Sequence, residues 1–299
     1  MKTQKQPLVS VIMPVYNAER YVEKAVESIL SQTYKNIELV VVDDFSTDNT
    51  YPLLMALAKK DKRIKLSRNE KNLGVSNTVK RTIDKATGEF LARMDADDVA
   101  FANRIHKQVE YLTLHTDVVA VGGQCQVIDE KGNIIGTKTF PTEFEAIYRY
   151  IFEFVPLQQP TLMIAVKRLP HDFMFYRDGM NTAEEIELIF KLFQYGKVEN
   201  LPDTLLKYRI HTTNTSFKNV KKTFFLTLIS RVRAVLLFGY KPTLRGVIVT
   251  LMETLLVFML PKSVLLKLYS RVRHLSKRKA TLSKAVKSRV KSLAFQTLL

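Results

Sequence analysis

Apolar residues fall in short runs at 8–13, 37–42, 63–67 and 89–94, and between these runs, near 18–31, 48–60 and 75–86, they recur at helical spacing. Strands alternating with helices predict an α/β domain: a mainly parallel sheet with helices on both faces and ligands at the carboxyl ends of its strands. A helix is predicted over 103–115, followed by a hairpin over 118–139 that turns at Asp129-Glu130-Lys131-Gly132-Asn133, where Gly and Asn accept positive φ. A strand over 161–166, a helix over 183–195 and a last strand over 204–210 complete the pattern. The domain is therefore predicted to span 1–216, with residues 217–299 forming an all-α tail.

Charge changes the picture at that boundary. Residues 217–299 hold 18 of the 46 Lys/Arg and one acidic residue, Glu253, so the net charge of +17 resides in the tail and the body is neutral. Helical apolar periodicity meets this basic charge: Leu282, Val286, Val290 and Leu293 share one face of a predicted final helix, and Lys284, Lys287 and Lys291 lie away from it. The most apolar stretch, 246–260, is shorter than the about 20 residues a membrane span needs and contains Glu253. It is expected to lie in an interface or pack on a neighbour. Such a tail suits an anionic membrane surface. Nucleic acid is the other polyanion, but no nucleic-acid-binding motif interleaves the charges. One cysteine, Cys125, excludes an intramolecular disulfide, and the amino terminus runs into a strand without a signal-peptide apolar region. The expectation is a cytoplasmic protein, peripheral on the inner face of a membrane.

Two acidic groups follow predicted strands. Asp95, Asp97 and Asp98 lie within four residues directly behind the run at 89–94. Carboxylates that close repel one another unless a multivalent cation or a hydrogen-bond network holds them. Asp43 and Asp44 end the second strand, ahead of Ser46, Thr47 and Asp48. Helix capping accounts for one of the latter three but not for two carboxylates at the strand end. A carboxylate there accepts the imide N–H or ribose hydroxyls of a nucleotide. The first strand exits through Pro14, which fixes the backbone, and Tyr16, which offers a flat face to a base.

As a set, these segments resemble a family 2 glycosyltransferase with the GT-A fold. The resemblance is carried by 9–17 (VSVIMPVYN), 42–48 (VDDFSTD), 72–76 (NLGVS) and 86–98 (ATGEFLARMDADD), and continues in order through Arg104, Gln108 and the 118–139 hairpin to 208–211 (YRIH). It implies inverting transfer of a sugar from a nucleotide-diphosphate sugar, a UDP-sugar by family habit, to an acceptor hydroxyl of a lipid-linked saccharide, as in bacterial surface-polysaccharide assembly. By matching positions it implies that Pro14, Tyr16, Asp43, Asp44, Asp95 and Ala96 line the donor pocket, with Asp44 facing the base edge. Asp95 and Asp97, with His211 near them, are implied to hold Mn²⁺ or Mg²⁺, which hard oxygen ligands favour.

The family draws its general base from an acidic pair opening a late helix, here Glu184-Glu185, with Glu185 standing where an Asp is usual. The same two glutamates also suit a helix amino end capped by Asn181 or Thr182. Lys80-Arg81 departs from the family pattern and reads as phosphate contact or solvated surface, and 158–161 (QQPT) resembles an acceptor-side segment. Glu185 leaves open a non-catalytic nucleotide-sugar or glycan-binding relative. A sugar nucleotidyltransferase would need a Gly-rich phosphate loop near the first strand, which the sequence lacks.

Overall fold

A computed structural model describes residues 6–177, 184–211, 220–261 and 264–265. The predicted final helix, together with Asn181 and Thr182, lies outside them. Strands β1 (Val9–Val15), β2 (Ile37–Asp43), β3 (Ile64–Arg68) and β4 (Phe90–Arg93) alternate with helices α1 (Val22–Leu30), α2 (Thr50–Lys60) and α3 (Val75–Asp84). Then come β5 (Val99–Ala100), α4 (Arg104–Leu114), the hairpin β6 (Val118–Ile128) and β7 (Ile134–Lys138), α5 (Phe144–Tyr150), β8 (Met163–Ala165), α6 (Glu184–Leu192) and β9 (Lys197–Arg209). Two further helices, α7 (Val220–Leu237) and α8 (Leu244–Met259), follow.

The sheet runs in the order β3-β2-β1-β4-β8-β6-β9-β5, with β7 on β6. β1, β2, β3 and β4 are mutually parallel, while β8, antiparallel to both β4 and β6, restores the same direction for β6 and β9. The predicted mainly parallel α/β architecture is the one found. Alternation along the strands divides the core in two. Val9, Val11, Met13 and Val15 face one layer with α1, α2 and α4, whereas Ile12, Val40 and Leu91 face the other with α3, α6 and Ala234 of α7. In α1 the buried Val22, Ala25, Val26 and Ile29 form the stripe that helical periodicity requires.

Three elements differ from the sequence reading. β9 begins at Lys197, not 204, because Pro202 and Asp203 bulge out of register with β6 between the pairs Gly123–Leu201 and Gln124–Thr204. α5 has seven residues, too few for a helical period to show, and its Phe144 and Tyr148 pack on Phe193. β5 has two residues. Beyond residue 216, α7 and α8 pack on the body: the Tyr240 hydroxyl donates to the Tyr148 carbonyl at 2.8 Å and Thr250 to the Phe152 carbonyl at 3.3 Å. No helix among the described residues is long and apolar enough to cross a membrane.

Candidate active site

The chain leaves β1 for β2 and β3 on one side and for β4 on the other, so a crevice opens at the carboxyl ends of β1 and β4. Its first wall is sewn from the two loops that leave β1 and β2. The Asp44 amide donates to the Val15 carbonyl at 2.7 Å. Asn17, at φ 48°, a conformation Asn tolerates, donates its own amide to Ser46 Oγ at 3.0 Å and accepts the Thr47 amide at 2.9 Å. Pro14 stands in β1 opposite Val42, and Tyr16 just beyond is 49% exposed. Asp48 caps as the sequence allowed, accepting the Thr50 amide at 3.0 Å.

The two aspartates ending β2 are used differently. Asp44 spends both oxygens on the loop before α3: Oδ1 accepts from Asn69 Nδ2 at 2.7 Å and the Leu73 amide at 2.8 Å, and Oδ2 from the Gly74 amide at 2.9 Å. Gly74 sits at φ 83°, which a side chain would strain, and this turns its N–H onto the carboxylate. Asp43 is fully buried; its Oδ2 meets Arg68 Nε at 3.0 Å and the Ser46 amide at 3.1 Å, while Oδ1 has no hydrogen-bond partner among the described residues. Arg68 lies over the rings of Phe45 and Tyr51. Arg81, read as surface or phosphate contact, donates to Asn69 Oδ1 at 2.9 Å.

The third group forms the floor. Carboxylate oxygens of Asp95, Asp97 and Asp98 lie within 4.8 Å of one another. Arg93 NH2 reaches Asp95 Oδ1 at 2.7 Å, and His211 Nε2 lies 2.8 Å from Asp97 Oδ2. The Arg209 amide donates to Asp98 Oδ1 at 2.8 Å and its Nε to the Asp97 carbonyl at 2.7 Å, leaving Asp98 Oδ2 buried without a hydrogen-bond partner among the described residues. Burial, joined by the charges of Asp97 and Asp95, pushes the Asp98 carboxyl well above the usual carboxylate range. Burial also raises Asp95, with Arg93 and Arg104 opposing the charge of Asp97. Ala96 buries its methyl in the core between two of these aspartates.

Beneath them Arg104 is fully buried, donating to the Arg93 carbonyl at 2.7 Å and to Gln108 Oε1 at 3.1 Å; Gln108 in turn donates to the Val121 and Thr161 carbonyls. Burial lowers the Arg104 guanidinium to about 10. The resemblance names Asp95 and Asp97 for the cation; Asp98 is the third carboxylate of the cluster, and Arg93, which the sequence reading does not single out, pairs with Asp95. Arg93 was detectable: two residues before Asp95 on an extended chain, it projects to the same side.

Hard oxygen donors, three of them converging, with one buried oxygen unpaired, are a set that fits a divalent cation. α6 opens at Glu184, and Glu185 is half-buried. Glu187, one turn on, is buried facing Arg233 Nε at 3.3 Å, Lys191 Nζ at 3.6 Å and Arg177 NH2 at 3.9 Å.

The profile described as Glycosyl transferase family 2 matches residues 10–180. The chain belongs to this family. An uncharacterized glycosyltransferase of Haemophilus influenzae is 34% identical over 218 residues, 70% of this chain and 68% of the relative. In fold, the chain is similar to the crystal structure of S. aureus TarS 1-349 in complex with UDP, with a TM-score of 0.55 at 20% identity, covering 74% of this chain and 64% of the TarS chain. It is also similar to the mannosyltransferase PcManGT from Pyrobaculum calidifontis in complex with GDP-Man and Mn²⁺, with a TM-score of 0.57 at 16% identity, covering 99% of this chain and 86% of that one. The fold is thus that of the GT-A transferases, and the protein is a glycosyltransferase of family 2.

Proposed function

We propose that this family 2 glycosyltransferase moves a sugar, with inversion, from a nucleoside-diphosphate sugar to a hydroxyl of a lipid-linked saccharide held at an anionic membrane surface. The observation that carries the reading is the convergence of Asp95, Asp97 and Asp98 at the carboxyl edge of the sheet, one oxygen buried and unpaired. Asp95 and Asp97, backed by Asp98, would hold Mn²⁺ or Mg²⁺, with His211 fixing the orientation of Asp97 or joining the ligands. Bound there, the cation supplies electrostatic stabilisation of the diphosphate as it departs. The nucleotides of the structural neighbours, UDP and GDP-Man, support a donor of this class.

The remaining steps belong to the protein's own side chains. Tyr16 offers its exposed ring to the base, and Pro14 holds the strand end beneath it. Asp44, at the strand end that faces the base edge of the donor, also fixes the loop before α3 through Asn69, Leu73 and Gly74, with Asp43 buried behind it on Arg68. The UDP bound to a structural neighbour supports UDP as the donor nucleotide. Glu185, with Glu184 beside it, takes the proton of the acceptor hydroxyl. The hydroxyl oxygen then forms its bond to the anomeric carbon from the face opposite the departing C–O bond, and the nucleoside diphosphate leaves with that electron pair.

The test is Glu185→Gln. Sugar transfer from UDP-sugars should fall by about 10²-fold or more, with thermal stabilisation by the nucleotide retained. Near-normal turnover in this variant removes Glu185 as the base.

A further inference from the structure

The outer faces of α7 and α8 are apolar and exposed among the described residues. Along α8, Leu244, Ile248, Leu251, Leu255 and Phe258 recur at helical spacing on one exposed face, Leu244 being 78% exposed, while Gly246, Val249, Thr250, Glu253 and Val257 line the buried one. Along α7, Phe225, Ile229, Val232 and Leu236 form the matching exposed stripe, and the rings of Phe225 and Phe258, 5.6 Å apart, join the two into one surface. The single acidic residue in either helix, Glu253, is buried against Arg231 at 2.6 Å. Lys222, near the amino end of α7, and Lys241, in the turn between the helices, are exposed at the ends of the surface. An exposed apolar face of this extent marks an interaction site, and its charge selects the occupant. A second copy would set cations against cations. So would residues 266–299, which carry ten Lys/Arg and no acid.

We propose that the α7–α8 pair is a membrane-inserting surface, its apolar face seated among the acyl chains of an anionic leaflet and its lysines at the headgroups. The inference deepens the membrane-held acceptor of the proposed function. It places insertion on this helix pair, with the basic residues after 265 adding attraction only. Arg231 on α7 pairs with Glu253 on α8, and the helix pair is tied to the body by Arg245 with Glu153 at 3.2 Å and Arg233 with Glu187 on α6, the helix that carries Glu185.

The test is flotation of the full chain with phosphatidylcholine vesicles, with and without phosphatidylglycerol. The wild type should float, more strongly with the anionic lipid. The variant Leu251→Ser/Leu255→Ser/Phe258→Ser, changed only at exposed positions, should lose about tenfold or more of its binding while still being stabilised by UDP. A triple variant that floats like the wild type overturns the proposal. So does a wild type that ignores vesicles but forms a dimer which these serines abolish. Vesicle binding intact with no response to UDP would instead sink the UDP-sugar donor of the proposed function and leave this one standing. A second probe guards against misfolding: Leu255→Cys carrying an environment-sensitive fluorophore should shift to the blue on vesicles and be quenched by acyl-chain nitroxides. Cys125 is buried and its thiol is pushed up to about 12, so the label goes to one site. A label that stays solvent-like on bound protein contradicts insertion.

Discussion

Buried charge is handled differently in two regions of this molecule. Under α7 and α8, the buried acids face arginine: Glu253–Arg231 at 2.6 Å joins the two helices, and Glu153–Arg245 at 3.2 Å ties α8 to the body. At the carboxyl edge of the sheet, three carboxylates share a floor with Arg93 on Asp95 and His211 on Asp97, and a buried oxygen of Asp98 has no hydrogen-bond partner among the described residues. In the first, each acid is set against a base, although Glu253 and Glu153 each keep one buried oxygen with no hydrogen-bond partner among the described residues. In the second, three carboxylates are gathered against one another, an arrangement that favours a cation from outside. Acids matched to bases mark the part that holds the structure, and acids gathered together mark the part that acts.

The sharpest way to break this contrast is to remove charge from each region. Asp95→Asn/Asp97→Asn should cut turnover by about 10³-fold with only a small change in melting temperature, because the loss of Arg93's counter-charge is offset by relief of the repulsion among the carboxylates. A steady-state assay and a melt on the same sample decide it, and a collapse in stability would make the aspartates structural. Glu253→Ala should do the reverse. It strands Arg231 in an apolar surround and costs about 3 kcal/mol of stability, visible in denaturant unfolding, whereas Arg231→Met/Glu253→Leu should recover most of the loss. If Glu253→Ala were neutral, the pairs would not be what mounts the helices. The smallest effect belongs to the rim of the site: Tyr16→Ala removes one stacking face, and the KM for the donor should rise about three- to tenfold with kcat little changed. An unaltered KM would place the base elsewhere.

Much of the active region was legible in the sequence because its signals are local. Short apolar runs, two of them closed by acids, place Asp43, Asp44, Asp95 and Asp97 at strand ends. What escaped was carried by partners distant in the chain. Nothing near Asp44 reveals that it accepts from Asn69, Leu73 and Gly74, so its part in fixing the loop before α3 was hidden. Glu253 looked like a blemish in an apolar segment, and its partner stands 22 residues earlier. Pro202 reads as a breaker and concealed the first half of β9, where a bulge against β6 absorbs it. The basic charge after residue 217 was plain, but the apolar stripes of α7 and α8 became one surface only when folding set Phe225 beside Phe258.

The most direct test of the central claim is thermal unfolding with UDP-sugars, with Mn²⁺ and with both, in the wild type and in Asp95→Asn/Asp97→Asn. Donor and Mn²⁺ together should stabilise the wild type well beyond the sum of each alone, and this excess should vanish in the variant. Equal stabilisation of both proteins, or stabilisation by the donor that ignores the metal, would contradict the assignment of the aspartate floor as the cation and diphosphate site.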